Sequence, residues 1–110
     1  MAGEITKNRG IAICAPIAPY AATRQAVREE IEAYGGFFEI YVSTPLAECE
    51  KRDRKGMYAK ARAGLIQGFT GVDDPYQKPE APDLEIDTTD KTPDEAAQEI
   101  LLLLGDRKYI

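Results

Sequence analysis

The stretch F37-F-E-I-Y-V-S-T-P-L-A-E-C-E-K-R52 decides the fold. Its first seven residues, Phe37 to Ser43, are aromatic and β-branched, the composition of a strand. Pro45 then opens a short helix, PLAECEKR, where proline's missing N–H costs nothing in the first turn. A strand that feeds a helix directly is half of a crossover unit. Two further runs repeat the theme. Gly10 to Pro16, GIAICAP, is a short apolar run without polar alternation, the pattern of a strand buried on both faces of a parallel sheet. Leu84 to Asp87, LEID, reads as a third, short strand that ends at Thr88-Thr89.

Helical segments fill the intervals. Residues 2–8 read as a helix tail stopped by Arg9-Gly10. Ala21 to Tyr34 carries Ala22, Ala26, Val27, Ile31 and Tyr34 at helical spacing, with Arg24, Arg28, Glu29, Glu30 and Glu32 mostly on the other side, and Gly35-Gly36 ends it. Gly56 to Leu65 reads as a loosely attached helix with a weak stripe of Met57, Ala61 and Ile66. Thr92-Pro93-Asp94-Glu95 is a strong helix start, an N-cap followed by proline and then a capping-box glutamate. That helix runs through Ile100, Leu101 and Leu104 to a stop at Gly105, and its leucine run suits a core plus a partner contact. Strands alternating with helices predict an α/β fold, a parallel sheet with right-handed crossover helices. Ligands of such sheets bind beyond the carboxyl ends of the strands. The segments expected there are Ile17–Tyr20, Thr44–Gly71 and Thr88–Thr89.

Composition narrows the chemistry. The chain has 110 residues and a formal net charge of -5, with 44% hydrophobic and 30% charged residues. Such a chain suits one domain or part of one. The acidic balance disfavours general nucleic-acid binding, which needs a basic face. With no histidine, His-based triads and His-ligated metals are out. Cys14 and Cys49 lack metal-type spacing and are expected as reduced, buried thiols of a cytoplasmic protein. No apolar run approaches a membrane span and no signal segment is expected. The carboxylates of Asp73-Asp74 and of Asp83, Glu85 and Asp87 have no convergent template for a metal, so no metal site is expected among them.

Against the acidic background stands one basic cluster, Lys51, Arg52, Arg54, Lys55, Lys60 and Arg62, broken only by Asp53 and followed by Phe69-Thr70-Gly71. From charge alone, an anion site and a plain solvated helix face are equally good readings. The phosphate-cradling motif Gly-x-x-x-x-Gly-Lys-Ser/Thr does not accompany it, and the 110 residues contain no Gly-Lys dipeptide.

The run RDRKGMYAKARAG (52–64), then FTG (69–71), DPY (74–76) and PEAP (79–82), resembles adenylylsulfate kinase (APS kinase), and APIAPY with FFEIYVSTPLAECEKRD resembles the kinase domain of bifunctional sulfate adenylyltransferase/adenylylsulfate kinases. The likeness spans residues 4–104. It implies a phosphate-loop-kinase-like fold, of which residues 1–110 form a single partial domain, the family's N-terminal half with the phosphate loop being expected outside it. It implies transfer of the γ-phosphoryl group of ATP to the 3′-hydroxyl of adenosine 5′-phosphosulfate (APS), giving PAPS, with magnesium as the accompanying ion.

By this resemblance, residues of about 52–71 would be a mobile lid. Arg52 and Thr88 would bind ATP. Ile17, Ala18 and Phe69 would bind APS, Phe69 by stacking on its adenine. Lys55, Lys60 and Arg62 would supply positive charge to phosphate or sulfate. The alternative for Phe69 is a plain core aromatic. Two departures stand out: Ala18 replaces the family's serine, and Ala21 replaces a common arginine. The chain by itself is expected not to phosphorylate APS. Its expected partners are APS, ATP, further copies of itself or a sulfate adenylyltransferase domain, with no nucleic acid and no membrane. A non-catalytic oligomerisation or regulatory module of a sulfate-activation enzyme is the alternative.

Overall fold

The computed structural model describes residues 1–72 and 74–110. The chain divides into two compact units, Met1–Phe38 with Gly68–Glu80, and Glu39–Gln67 with Ala81–Ile110. The expected lid, 52–71, thus contributes 52–67 to the second unit and 68–71 to the first.

The second unit is built on a parallel strand pair. Strand β1 (Ile40–Val42) pairs with β2 (Leu84–Ile86) in the register Ile40↔Leu84, Tyr41↔Glu85, Val42↔Ile86. Asp83 sets the entry to this ladder, because its carboxylate accepts from the Glu39 amide at 2.7 Å and its own amide donates to the Glu39 carbonyl at 2.9 Å. At the exit, the Ser43 amide donates to the Ile86 carbonyl at 2.8 Å. Ile86 is 1% exposed and is the centre of this core.

Parallel strands need a crossover of a dozen or more residues. Here it includes α1 (Leu46–Arg52) and α2 (Met57–Arg62). Pro45 stands one position before the first of these rather than inside it. After β2 comes α3 (Pro93–Asp106), which opens on the expected capping box: the Thr92 hydroxyl accepts from the Glu95 amide at 3.1 Å and the Glu95 carboxylate accepts from the Thr92 amide at 3.3 Å. Gly105 does not stop the helix, which runs one residue further. Leu103 and Leu104 are half-buried, whereas Leu101 and Leu102 are exposed. The helix expected over 56–65 is shorter, ending at Arg62, because Ala63-Gly64 turn the chain and Gly64 takes a left-handed φ of 78°.

In the first unit, α4 (Ala2–Lys7) lies against α5 (Ala21–Glu32). The stop after α4 is made by Arg9, at φ 66°, with the Gly10 amide bonded to the Ile5 carbonyl at 2.8 Å. Close approach demands glycine at position 35, where a Cβ would meet Thr6 Cγ2 at 2.9 Å.

Three expectations fail in this unit. The run Gly10–Pro16 is not a strand among the described residues. Ile11 is 65% and Ile13 92% exposed, and among the described residues no backbone–backbone hydrogen bond involves Ile11 to Ile17. Apolar, β-branched composition favours a strand only where a neighbouring strand satisfies its backbone, and among the described residues no strand of this unit does so. Cys14 is therefore exposed, not buried, while Cys49 is half-buried in α1. In α5 only Ile31 of the expected apolar stripe is buried, and Val27 and Tyr34 are exposed. Its half-buried positions include Arg24 and Arg28, whose guanidinium groups lie 5.4 Å from the Tyr76 and 4.8 Å from the Phe37 ring centroids.

Candidate functional site

Two groups of residues, one in each unit, coincide with the positions singled out from sequence. In the second unit they form at the carboxyl ends of the paired strands. Because β1 and β2 run parallel and in register, the residues leaving them, Thr44 and Thr88, emerge side by side. Their hydroxyl oxygens lie 2.6 Å apart, and the Thr88 amide donates to the Thr44 hydroxyl at 3.0 Å. Arg52, the last residue of α1, reaches the same point. Its Nη1 donates to the Thr88 hydroxyl at 2.9 Å and its Nη2 to the Thr88 carbonyl at 2.8 Å. Glu48, one turn earlier, accepts from Nε at 3.2 Å. Three of the five guanidinium N–H groups are thereby committed and the plane is fixed, while the side chain keeps 39% of its surface exposed. A fixed guanidinium plane is suited to stacking on a base.

The basic cluster continues past Arg52, and Asp53 proves to organise it. Asp53 takes φ 24° and turns its carboxylate onto the start of α2, where it accepts from the Tyr58 amide at 3.0 Å and the Ala59 amide at 3.1 Å. Arg62 pairs with Glu50 at 2.7 Å, and that hydrogen bond holds its guanidinium above the ordinary arginine range. Lys55 and Lys60 are exposed. Burial, seconded by the Cys49 thiol, pushes the Tyr58 phenol up. Next to the strand ends, the Thr89 hydroxyl and amide hold the Asp87 carboxyl below the usual carboxylate range.

In the first unit, the loop after Gly10–Pro16 is fastened to the segment that follows Phe69. Ala18 takes φ 44°, and its carbonyl accepts from Arg24 Nη1 at 2.6 Å. Arg24 Nη2 donates to the Gln77 carbonyl. The Gln77 amide donates to the Pro19 carbonyl at 2.8 Å, and the Gln77 side chain accepts from the Ala21 amide at 2.7 Å. Tyr20 donates to Asp74 at 3.3 Å. Phe69 is half-buried at the head of a tight turn, where its carbonyl accepts from the Val72 and Asp74 amides at 3.0 and 3.2 Å, and Gly71 takes φ 89°. Ile17 is 69% exposed. Ile17, Ala18 and Phe69 thus belong to two loops joined by hydrogen bonds. Asp73 lies outside the described residues.

Residues 1–87 match the family model of adenylylsulphate kinase. The chain belongs to the APS kinase family. Among solved structures, an APS kinase from Mycobacterium tuberculosis in complex with AMPPNP and APS is 49% identical, with a TM-score of 0.78 over 82% of this chain and 52% of that one. A hexameric APS kinase from Thiobacillus denitrificans is 48% identical, with a TM-score of 0.68 over 99% of this chain and 16% of that one. A sulfate adenylyltransferase of Phaeosphaeria nodorum is 55% identical over 104 residues, 94% of this chain and 18% of the relative. One from Aspergillus terreus is 49% identical over 110 residues, 99% of this chain and 19% of the relative. The chain spans less than a fifth of the length of these two curated relatives.

In this member of the APS kinase family, the sequence points to Arg52 and Thr88 but not to the contacts of Thr44, Asp53, Arg24 and Gln77. Asp53 left a signal, the lone acid in a basic run three residues before a glycine. Thr44 is marked only as the first residue of the segment expected beyond the strand ends, and Gln77 not at all, because their partners lie 44 and 56 residues away. Arg24 stands in the sequence with the charges opposite the apolar stripe of its helix, and its guanidinium ties down two backbone carbonyls.

Proposed function

We propose that this chain supplies the two nucleotide-base surfaces and the basic lid of an APS kinase, the enzyme that moves the γ-phosphoryl group of ATP to the 3′-hydroxyl of APS and yields PAPS. The contact of Arg52 with Thr88 at the carboxyl end of the parallel pair carries this reading. The relative bound to AMPPNP and APS supports it. Arg52 offers a fixed cationic plane to the adenine of ATP. Phe69 offers an aromatic face to the adenine of APS, and Ile17 and Ala18 border it. Lys55, Lys60 and Arg62 add positive charge toward phosphate and sulfate. Phosphoryl transfer is mostly positioning and charge stabilisation, so such groups suffice for this part of the work.

Magnesium accompanies ATP in this reaction class. Among the described residues no three or more Asp, Glu, Cys or His side chains are grouped to hold a metal ion, so none of them is assigned to it. No helix among them is long and apolar enough to cross a membrane. The 110 residues hold no Gly-x-x-x-x-Gly-Lys-Ser/Thr motif, and by itself the chain is expected to form no PAPS.

Two measurements test this. Calorimetric titration should show AMPPNP binding that Arg52→Ala weakens by about tenfold, the scale of a lost stacking contact with the base. Equal binding by both proteins would remove the site assignment. Chromatographic detection of PAPS made by the purified chain would refute its inactivity.

A second reading, an oligomerisation module, draws on the exposed Ile11 and Ile13 and on the hexameric relative. Light scattering that returns a monomer mass at every concentration would exclude it.

A further inference from the structure

We infer that Thr44 is a base-reading residue of the ATP site, acting with Thr88 as a paired hydroxyl that offers one hydrogen-bond donor and one acceptor to the edge of the purine. The inference rests on the assignment of Arg52 and Thr88 to ATP, and it follows from counting protons. Two threonine hydroxyls together have two donor protons and four lone pairs. The bond between them, 2.6 Å long, uses one proton and one lone pair whichever oxygen donates. Arg52 Nη1 fills one lone pair of Thr88, and the Thr88 amide fills one of Thr44. One proton and one lone pair remain, and they sit on different oxygens in either arrangement. When Thr44 donates to Thr88, the spare proton is on Thr88 and the spare lone pair on Thr44. When Thr88 donates, the two exchange places.

Adenine presents the complement, an amino donor beside a ring-nitrogen acceptor. The pair is rigidly held, since Thr44 and Thr88 leave two strands in register. Both residues are only half-buried, so the edge is open to a ligand. Thr44 also fixes Thr88, and through it the plane of Arg52. It therefore ties recognition of the base edge to the stacking surface.

The test is binding of AMPPNP and of its purine-riboside analogue, which lacks the amino group, to the wild type and to Thr44→Ala, Thr44→Ser and Arg52→Ala. The expected result is that Thr44→Ala weakens AMPPNP by about tenfold, the scale of one lost hydrogen bond with its partner left unpaired. Thr44→Ser should bind within about twofold of the wild type, and binding of APS to Thr44→Ala should be unchanged. With Thr44 accepting from the amino group and Thr88 donating to the ring nitrogen, removing the amino group should cost the wild type severalfold and Thr44→Ala much less, because the two changes delete the same contact and cannot add.

Additive losses would show that Thr44 only supports the fold, and would overturn the inference even though Thr44→Ala binds poorly. Equal amino-group sensitivity in the wild type and Thr44→Ser is required as well, so a Thr44→Ala chain that fails to fold still leaves a decisive arm: a wild type indifferent to the amino group refutes the proposal. If Arg52→Ala weakens AMPPNP while Thr44→Ala does not, the inference falls and the ATP site stands. If the wild type does not bind AMPPNP, or Arg52→Ala is without effect, both fall.

Discussion

Replacing Asp53 should loosen helix α2 more than its half-buried, charged setting suggests. Asp53 carries two opposing contributions. Its carboxylate accepts from the Tyr58 and Ala59 amides at 3.0 and 3.1 Å, which satisfies two of the orphan donors at the start of α2. Loss of such a cap costs about 1–2 kcal/mol. Against this, φ 24° is a left-handed conformation that costs an L side chain about 1–2 kcal/mol, less for aspartate and asparagine than for alanine. Glycine removes the strain and the cap together, so Asp53→Gly should be nearly balanced. Alanine loses the cap and adds strain, so Asp53→Ala should lose about 2–3 kcal/mol at this site. Asparagine keeps an acceptor and tolerates the backbone, so Asp53→Asn should stay within about 1 kcal/mol of the wild type.

The helix is six residues long and buries only Ala61, so little else holds it. Isolated helices of that length are marginal. The loss should therefore appear as local opening, with amide exchange at Tyr58 and Ala59 accelerated by about 30- to 150-fold in Asp53→Ala. Exchange measured by NMR should rank alanine fastest, then glycine, then asparagine and wild type. Exchange in Asp53→Ala within twofold of the wild type, or slower than in Asp53→Gly, would refute the reasoning.

Three further outcomes are expected. Thr92→Ala removes the capping box of α3 and should destabilise the second unit by about 1 kcal/mol, seen as a lowered unfolding midpoint. Thr89→Val deletes the hydroxyl that lowers the Asp87 carboxyl, so its NMR titration midpoint should move up toward the ordinary aspartate range. Because the folded value lies below the unfolded one, the associated stability is present above the unfolded value and fades as pH falls through the folded one; Thr89→Val should show a smaller acid-side decline. Tyr58, pushed up by burial, should ionise later than a free tyrosine in an absorbance titration. Its contribution is complete below the unfolded value, near pH 10, and is lost as pH rises through the folded one; Tyr58 titrating with free tyrosine would contradict the structure.

The helix starts were legible in the chain because their causes are local. Thr92 finds Glu95 three residues on, and Pro45 stands beside the helix it introduces. The parallel pairing of Ile40–Val42 with Leu84–Ile86 was legible as a class of fold, since strand composition interrupted by helical segments admits few arrangements. The motif residues Arg52 and Thr88 were legible only as family positions, and nothing in their spacing said that they touch.

Tertiary structure decided the rest, because it concerns partners distant in sequence. The composition of Gly10–Pro16 is that of a buried strand, yet a strand needs a neighbour to take its hydrogen bonds, and Ile13 instead lies 92% exposed. Arg24 stands in the sequence opposite the apolar stripe of its helix, and only folding brings the Ala18 and Gln77 carbonyls to its guanidinium. The basic run 51–62 supplied charge by composition. Its distribution came from folding: Arg52 is held against Thr88, Arg62 against Glu50, and Lys55 and Lys60 are left exposed. Residue type therefore determined which chemistry this chain can offer, and the register of two short strands determined where the Thr44, Arg52 and Thr88 groups meet.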